Sequence, residues 1–191
     1  MTSEESSRSR RRLILVCGLG GTGKTTLADL LSRELNIACL HKDDVKTALH
    51  DAGITTTRSF EIFQTLIEKQ LSNGIDLIIE ATMHVPDDWD RLRRWRTTYD
   101  LELFAVICSA DRDERERRIR TRDRHPAHSE ADRRQLTELD VEVDYSLLPG
   151  HHIDVFTQEE PRASACSVLA RLGSSPVSDD LPCGRSAPAE V

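Results

Sequence analysis

The sequence is poor in aromatic residues, which make up 4% of 191 positions, with two Trp, two Tyr and four Phe. Trp89 and Trp95 stand six apart in one helical stretch, which makes no stacking platform for bases, so both are expected in packing. No apolar run approaches the ~20 residues of a membrane span, and no membrane partner is expected. The first twelve residues are polar and arginine-rich and lack the apolar centre of a secretion signal. There is no CxxC pair. Cys17, Cys39, Cys108, Cys166 and Cys183 are scattered and odd in number, which argues against a zinc knot or a disulfide scaffold. Three of them lie in strand-like apolar runs and read as small hydrophobes. A cytoplasmic protein is the natural expectation. A basic balance is missing too: 33 acidic residues face 26 basic ones, a net charge of −7 that weighs against broad nucleic-acid binding. No internal repeat is present.

What the sequence does have is Gly18-Leu19-Gly20-Gly21-Thr22-Gly23-Lys24-Thr25, which meets G-x-x-x-x-G-K-[ST] at every fixed position. Before it, Leu13–Cys17 forms a short apolar run with the character of a buried parallel strand. After it, Leu27, Leu30, Leu31 and Leu35 fall at helical spacing. Such a loop turns its backbone N–H groups inward at a helix N-terminus and makes a nest for phosphate. Lys24 is placed for the β- and γ-phosphates and the Thr25 hydroxyl for Mg²⁺, with Thr26 next along the helix.

Strand-like and helical runs alternate through the rest. Strands are expected at Leu13–Cys17, Ile37–Leu40, Leu77–Glu80, Glu102–Ser109 and His152–Thr157. Helices are expected near 24–35, 44–51, 58–72, 87–98, 111–123, 129–139 and 161–172. Asn73-Gly74 closes one helix and Pro86 opens another. This alternation predicts an α/β fold, a five-stranded parallel sheet with helices on both faces. Residues 12–172 form the predicted domain. Residues 1–11 and 173–191 have the composition of disordered tails.

Ligands of such sheets lie beyond the carboxyl ends of the strands. After the second strand come Asp43 and Asp44, followed by Lys46. One of the two acids is expected to cap the helix. Asp43 is the candidate to accept a proton from a substrate hydroxyl or to orient it. After the third strand, Glu80 could hold Mg²⁺ through water, and Thr82 and His84 could touch the acceptor. After the fourth strand comes an arginine-dense helix carrying Arg112, Arg115, Arg117, Arg118, Arg120, Arg122 and Arg124. Ion pairs at i,i+4 with Asp111, Asp113, Glu114 and Glu116 account for part of it. Arg118 and Arg122 share a helical face, and with 111–131 as a mobile lid they are candidates to neutralise phosphoryl-transfer charge.

Gly18–Thr25, Asp43-Asp44, Glu80-Ala81-Thr82 and the run Arg118-Ile119-Arg120-Thr121-Arg122 before Ser129-Glu130-Ala131 together resemble the small P-loop kinases, a group of P-loop NTPase folds. More narrowly, the chain is similar to the AAA_33-type kinase domain, whose relatives include polynucleotide 5′-hydroxyl kinases, chloramphenicol phosphotransferase, gluconate kinase and zeta toxins. The resemblance covers roughly residues 12–172. It implies ATP and Mg²⁺ as cofactors and Asp43 as base. It also implies lid arginines at Arg118 and Arg122 and transfer to an alcohol group of a small molecule such as an antibiotic, sugar or nucleoside. Polynucleotide kinases carry an arginine three residues past the acid. Lys46 stands there instead and lacks the bidentate grip, which disfavours a nucleic-acid 5′ end. The rival expectations are that kinase of nucleic-acid ends and a nucleotide switch or ATPase without an acceptor. A monomer or homodimer is expected.

Overall fold

The computed structural model describes residues 10–137, 139–158 and 160–173. The expected tails therefore fall almost wholly outside the described residues. Five strands form one all-parallel sheet in the order β2-β3-β1-β4-β5. They are β1 (Arg11–Cys17), β2 (Cys39–His41), β3 (Leu77–Glu80), β4 (Leu101–Ser109) and β5 (His151–Phe156). The helices are α1 (Lys24–Leu35), α2 (Lys42–Asp51), α3 (Ser59–Ser72), α4 (Pro86–Thr98), α5 (Arg112–Thr121), α6 (Ser129–Thr137) and α7 (Pro161–Arg171).

The central strand dictates the layers. Leu13 to Cys17 are all fully buried, because β1 has a strand on each side and helices above and below. Its odd residues, Leu13, Leu15 and Cys17, join Phe63 and Ile67 of α3 and Leu92 and Trp95 of α4 in one core. Its even residues, Ile14 and Val16, join Leu27 and Leu31 of α1 and Val168 of α7 in the other. Period-two alternation thus feeds both faces with apolar side chains. Both tryptophans are core residues, with Trp89 Nε1 donating to the Met83 carbonyl at 3.0 Å and Trp95 Nε1 to Glu68 at 2.9 Å. Cys17 and Cys108 are buried and Cys39 half-buried, and these three are free thiols.

Several boundaries differ from expectation. β1 starts at Arg11, where Arg12 is fixed by Asp76 through its backbone N–H at 2.9 Å and its Nε at 3.1 Å. β2 lies two residues later than predicted at its start, and α2 follows it without a gap. His41 is therefore the residue before α2, and neither Asp43 nor Asp44 caps the helix; both sit inside its first turn, favoured there by the positive helix end. α5 stops at Thr121. Arg122 is extended (φ −72°, ψ 134°) and no longer shares a helical face with Arg118. The chain then passes through the short turn Pro126–His128 into α6, which ends at Thr137.

Candidate functional site

The loop after β1 is built by tertiary contacts as much as by its glycines. Gly21 and Gly23 have φ of +78° and +75°. A Cβ on Gly21 would lie 2.6 Å from the Arg115 carbonyl oxygen, so α5 rests directly on the loop. Arg115, buried in an otherwise charged helix, donates from Nε to the Gly20 carbonyl and from Nη1 to the Leu139 carbonyl, both at 3.0 Å. The Thr22 hydroxyl donates to the Leu19 carbonyl at 2.8 Å. The Lys24 ammonium lies inside the loop's curve, donating to Leu19 at 3.0 Å and standing 3.8 Å from Glu80. Thr25 and Thr26 are exposed at the start of α1.

Glu80, nearly fully buried, ends β3. Register places it opposite His41 of β2, and His41 Nδ1 reaches its carboxylate at 3.3 Å. His41 Nε2 meets Asp29 of α1 at 3.1 Å. The Cys39 side chain and then Glu80 hold His41 far above the ordinary imidazole range, at about 11. With carboxylates facing both nitrogens, a ring protonated at both positions fits the site. His41 and Lys24 thus set two cations against one buried acid.

Asp43 stands on the side of α2 that faces the chain after α5. Its Oδ2 pairs with Arg124, and its Oδ1 lies 3.8 Å from Lys42 and 3.9 Å from His128 Nδ1. Burial pushes the Asp43 carboxyl up, but Arg124, with Lys42, His128 and Lys24 behind it, outweighs burial and holds the group below its usual value. Asp44 is exposed, whereas Lys46 is half-buried and acts on His128.

Three rungs tie the chain after α5 to α2: Arg124 to Asp43, His128 Nε2 to the Thr47 hydroxyl at 2.9 Å, and His125 Nε2 to Asp51 at 2.9 Å. His128 is buried, and burial lowers its pKa, which favours the neutral ring. His125 Nδ1 accepts the Ala127 amide at 3.3 Å, which puts the hydrogen of a neutral ring on Nε2, facing Asp51. His50 packs edge-on against it. The His50–Asp51–His125 group is therefore a hydrogen-bonded contact; a metal on Nε2 would need that hydrogen moved to Nδ1.

The arginines of α5 divide by direction. Arg112, Arg117 and Arg120 make exposed pairs with Glu116, Glu114 and Glu116 respectively, as the ion-pair reading expects. Arg118 turns inward. Its Nε meets Glu114 at 2.6 Å, its Nη2 the Thr157 carbonyl at 2.7 Å and its Nη1 the Gly21 carbonyl at 3.3 Å. Arg122 donates to Gln135 of α6 at 2.8 Å. Thr82 gives its carbonyl to the Tyr145 hydroxyl at 3.0 Å, and His84 is exposed and acts on Asp88. The structure thus gathers the loop, Glu80 and Asp43 at the carboxyl ends of β1, β2 and β3; Arg118 meets the loop from the β5 side at Thr157, Arg122 reaches Gln135, whose side chain lies against Gly20, and His84 faces α4.

A family model described as an AAA domain matches residues 13–142. The chain belongs to this family, AAA_33. Among solved structures, this AAA_33 chain is similar to a candidate kinase from Chloroflexus aurantiacus j-10-fl at 26% identity. That match covers 88% of this chain and 99% of the other, with a TM-score of 0.70. A gluconokinase from Sinorhizobium meliloti 1021 shares the fold at 14% identity, covering 87% and 94%, with a TM-score of 0.59. The tunicamycin resistance protein of Deinococcus radiodurans does so at 19% identity, covering 87% and 98%, with a TM-score of 0.56. No curated protein sequence matches. The fold is that of the P-loop NTPases, and no described helix is long and apolar enough to cross a membrane.

Sequence reasoning gave no role to His41, Thr157, Arg124 or His128. Arg115 had a legible signal: it stands four before Ile119, the one apolar residue of α5, and so shares its inward face. The partners of His41 and His128 are 39 and 81 residues away, and no local pattern points to them.

Proposed function

We propose that this AAA_33 chain is an ATP- and Mg²⁺-dependent kinase that transfers the γ-phosphoryl group to a hydroxyl of a small molecule. The observation that carries the reading is the position of Asp43: an acid two residues past His41, which pairs with Glu80 beside Lys24, covered by the chain that follows α5. Gly18 to Thr26 would cradle the phosphates. The cramped Gly21, with Lys24 curled into the loop, fits a nest that closes on an anion. Thr25 and Glu80 would hold the metal, which would supply neutralisation of the phosphate oxygens.

A cleft of about 200 Å³ lies between Gly23, Thr26, Leu27, Arg118, Thr157 and Ser164. The buried Ser164 hydroxyl lining it has no hydrogen-bond partner among the described residues. The flat Arg118 guanidinium in the wall of the cleft offers a stacking face to a nucleotide base. On this reading Arg118 serves the nucleotide. Asp43 takes the acceptor's proton, with Asp44, Lys46, Thr82 and His84 at the edge of the acceptor pocket and Arg122 in the lid.

Transfer of labelled γ-phosphate from ATP to a panel of antibiotics, sugars, nucleosides and oligonucleotides tests the proposal, with Lys24→Ala as the inactive control. Label moving to a small alcohol in the wild type and not in the variant supports it. Hydrolysis of ATP that no acceptor alters points to the switch reading, and transfer to oligonucleotide ends points to a nucleic-acid kinase.

A further inference from the structure

The arginine that reaches the acid of α2 is neither of the two picked by spacing. Arg118 is held by Glu114, Gly21 and Thr157, and Arg122 by Gln135. Arg124 lies three residues past the end of α5, in chain with no helical hydrogen bonds of its own, and its guanidinium rests on Asp43. Two further rungs, His128 to Thr47 and His125 to Asp51, hold that stretch against α2 whether or not the Arg124 pair is made.

An acid clasped this way cannot at once receive a hydroxyl proton on the same oxygen. Oδ1, with Lys42 and His128 only at 3.8 and 3.9 Å, stays within reach of a hydroxyl, but the Arg124 pair weakens the carboxylate as a base; opening it restores that basicity and releases a guanidinium beside the path of a phosphoryl group from the loop to a hydroxyl on Asp43. A planar fork of N–H donors suits that group better than any other side chain on the lid.

We infer that Arg124 changes partners: it holds Asp43 when the triphosphate is absent and moves to the γ-phosphate when it is present, freeing Asp43 for the acceptor. This rests on the loop being a nucleoside triphosphate site. The charged groups facing Asp43 are Lys42 of its own helix, Arg124 and His128 of the lid and, more remotely, Lys24 of α1. Of these, Arg124 alone combines contact with Asp43 and a place on the segment outside regular structure. Lys42 is on the same rigid turn, and His128 is engaged with Thr47.

The test needs no acceptor. Affinities for AMP-PNP with Mg²⁺ and for ADP with Mg²⁺ are measured by calorimetry on the full chain. In Arg124→Gln, AMP-PNP binding should weaken about tenfold to a hundredfold, as expected for loss of charged hydrogen bonds, while ADP stays within about twofold. Arg120→Gln, on the solvent side of α5, should change neither. Asp43→Asn should tighten AMP-PNP several-fold, because Arg124 no longer has to be taken from a carboxylate. That gain should vanish in the double variant, which separates a partner change from simple repulsion between Asp43 and the γ-phosphate.

Equal weakening of both nucleotides in Arg124→Gln, or of neither, overturns the inference. So does an Asp43→Asn gain that survives without Arg124. If Arg124→Gln fails to fold, Arg124→Ala takes its place in both the single and the double variant, and unchanged or weaker AMP-PNP binding in Asp43→Asn refutes the exchange by itself. A wild-type chain that binds neither nucleotide overturns the kinase reading itself.

Discussion

Gly21 and Gly53 have nearly the same backbone, φ +78° and +70°, in opposite surroundings, and the pair gives a controlled measure of how tightly α5 sits on the loop. Nothing lies within 4 Å of a Cβ built on Gly53. Gly53→Ala therefore costs only the left-handed conformation, about 1–2 kcal/mol. At Gly21 the same Cβ meets the Arg115 carbonyl oxygen at 2.6 Å and its Cα at 2.9 Å. Both are backbone atoms, so no rotamer change relieves the overlap. To reach ordinary contact, α5 must withdraw by about 0.8 Å.

That retreat strains the Arg115 bonds to Gly20 and Leu139. Loss of one bond from a charged donor costs about 1.5–3 kcal/mol. Gly21→Ala should then cost about 2.5–5 kcal/mol in all. In a chain of this size each kcal/mol moves Tm by about 2–4 °C, so the lost bond should make Gly21→Ala melt about 3–12 °C below Gly53→Ala. Differential scanning calorimetry of both variants beside the wild type measures it. Equal melting temperatures would refute the claim that the loop and α5 are packed as one unit. Nucleotide affinity gives a second reading, since a displaced α5 carries Arg118 away from Gly21 and Thr157.

Asp43→Asn should lower turnover by about 10²–10⁴-fold with ATP binding retained, whereas Asp44→Asn, exposed on the same turn, should be near normal; the reverse order would assign the base to Asp44. Arg118→Lys keeps the charge but not the fork that spans Gly21 and Thr157, so nucleotide binding should weaken far more than in Arg117→Lys, compared by titration calorimetry. Asp43 has its pKa depressed in the fold, so its contribution to stability is present above the unfolded aspartate value and is lost as pH falls through the folded one. His128, kept neutral by burial, acts in the same sense from the ordinary imidazole range downward. Urea unfolding should lose stability between neutral pH and pH 4, with a shallower slope in His128→Gln, and lose more below pH 4, with a shallower slope in Asp43→Asn; curves parallel to wild type in those two windows would contradict these environments.

The parts legible from sequence are those fixed by local chemistry or by burial on two sides. β1 is central and dry on both faces, so it appears as an unbroken apolar run, and the loop after it must be glycine-rich to turn under α5. α5 is different. It has one inward-facing apolar residue, Ile119, and its end is set where Arg122 leaves the helix toward Gln135 rather than by any cap in the sequence. β2 was misplaced for a related reason: Cys39, Leu40 and His41 are all half-buried, and what holds His41 in the strand is Glu80, reached only through the parallel pairing. The site follows the same division. Asp43 is legible as a candidate because an acid just past the second strand lies at the carboxyl edge of the sheet, where ligands of such sheets bind. Its partner Arg124 is not, since a run of seven arginines offers the same residue repeatedly and only the path of the chain after Thr121 decides which one arrives. Charge repeats thus mark the segment after β4 but leave the arginine that meets Asp43 to tertiary structure, where a helix that ends two residues early sends Arg122 to Gln135 and brings Arg124 to Asp43.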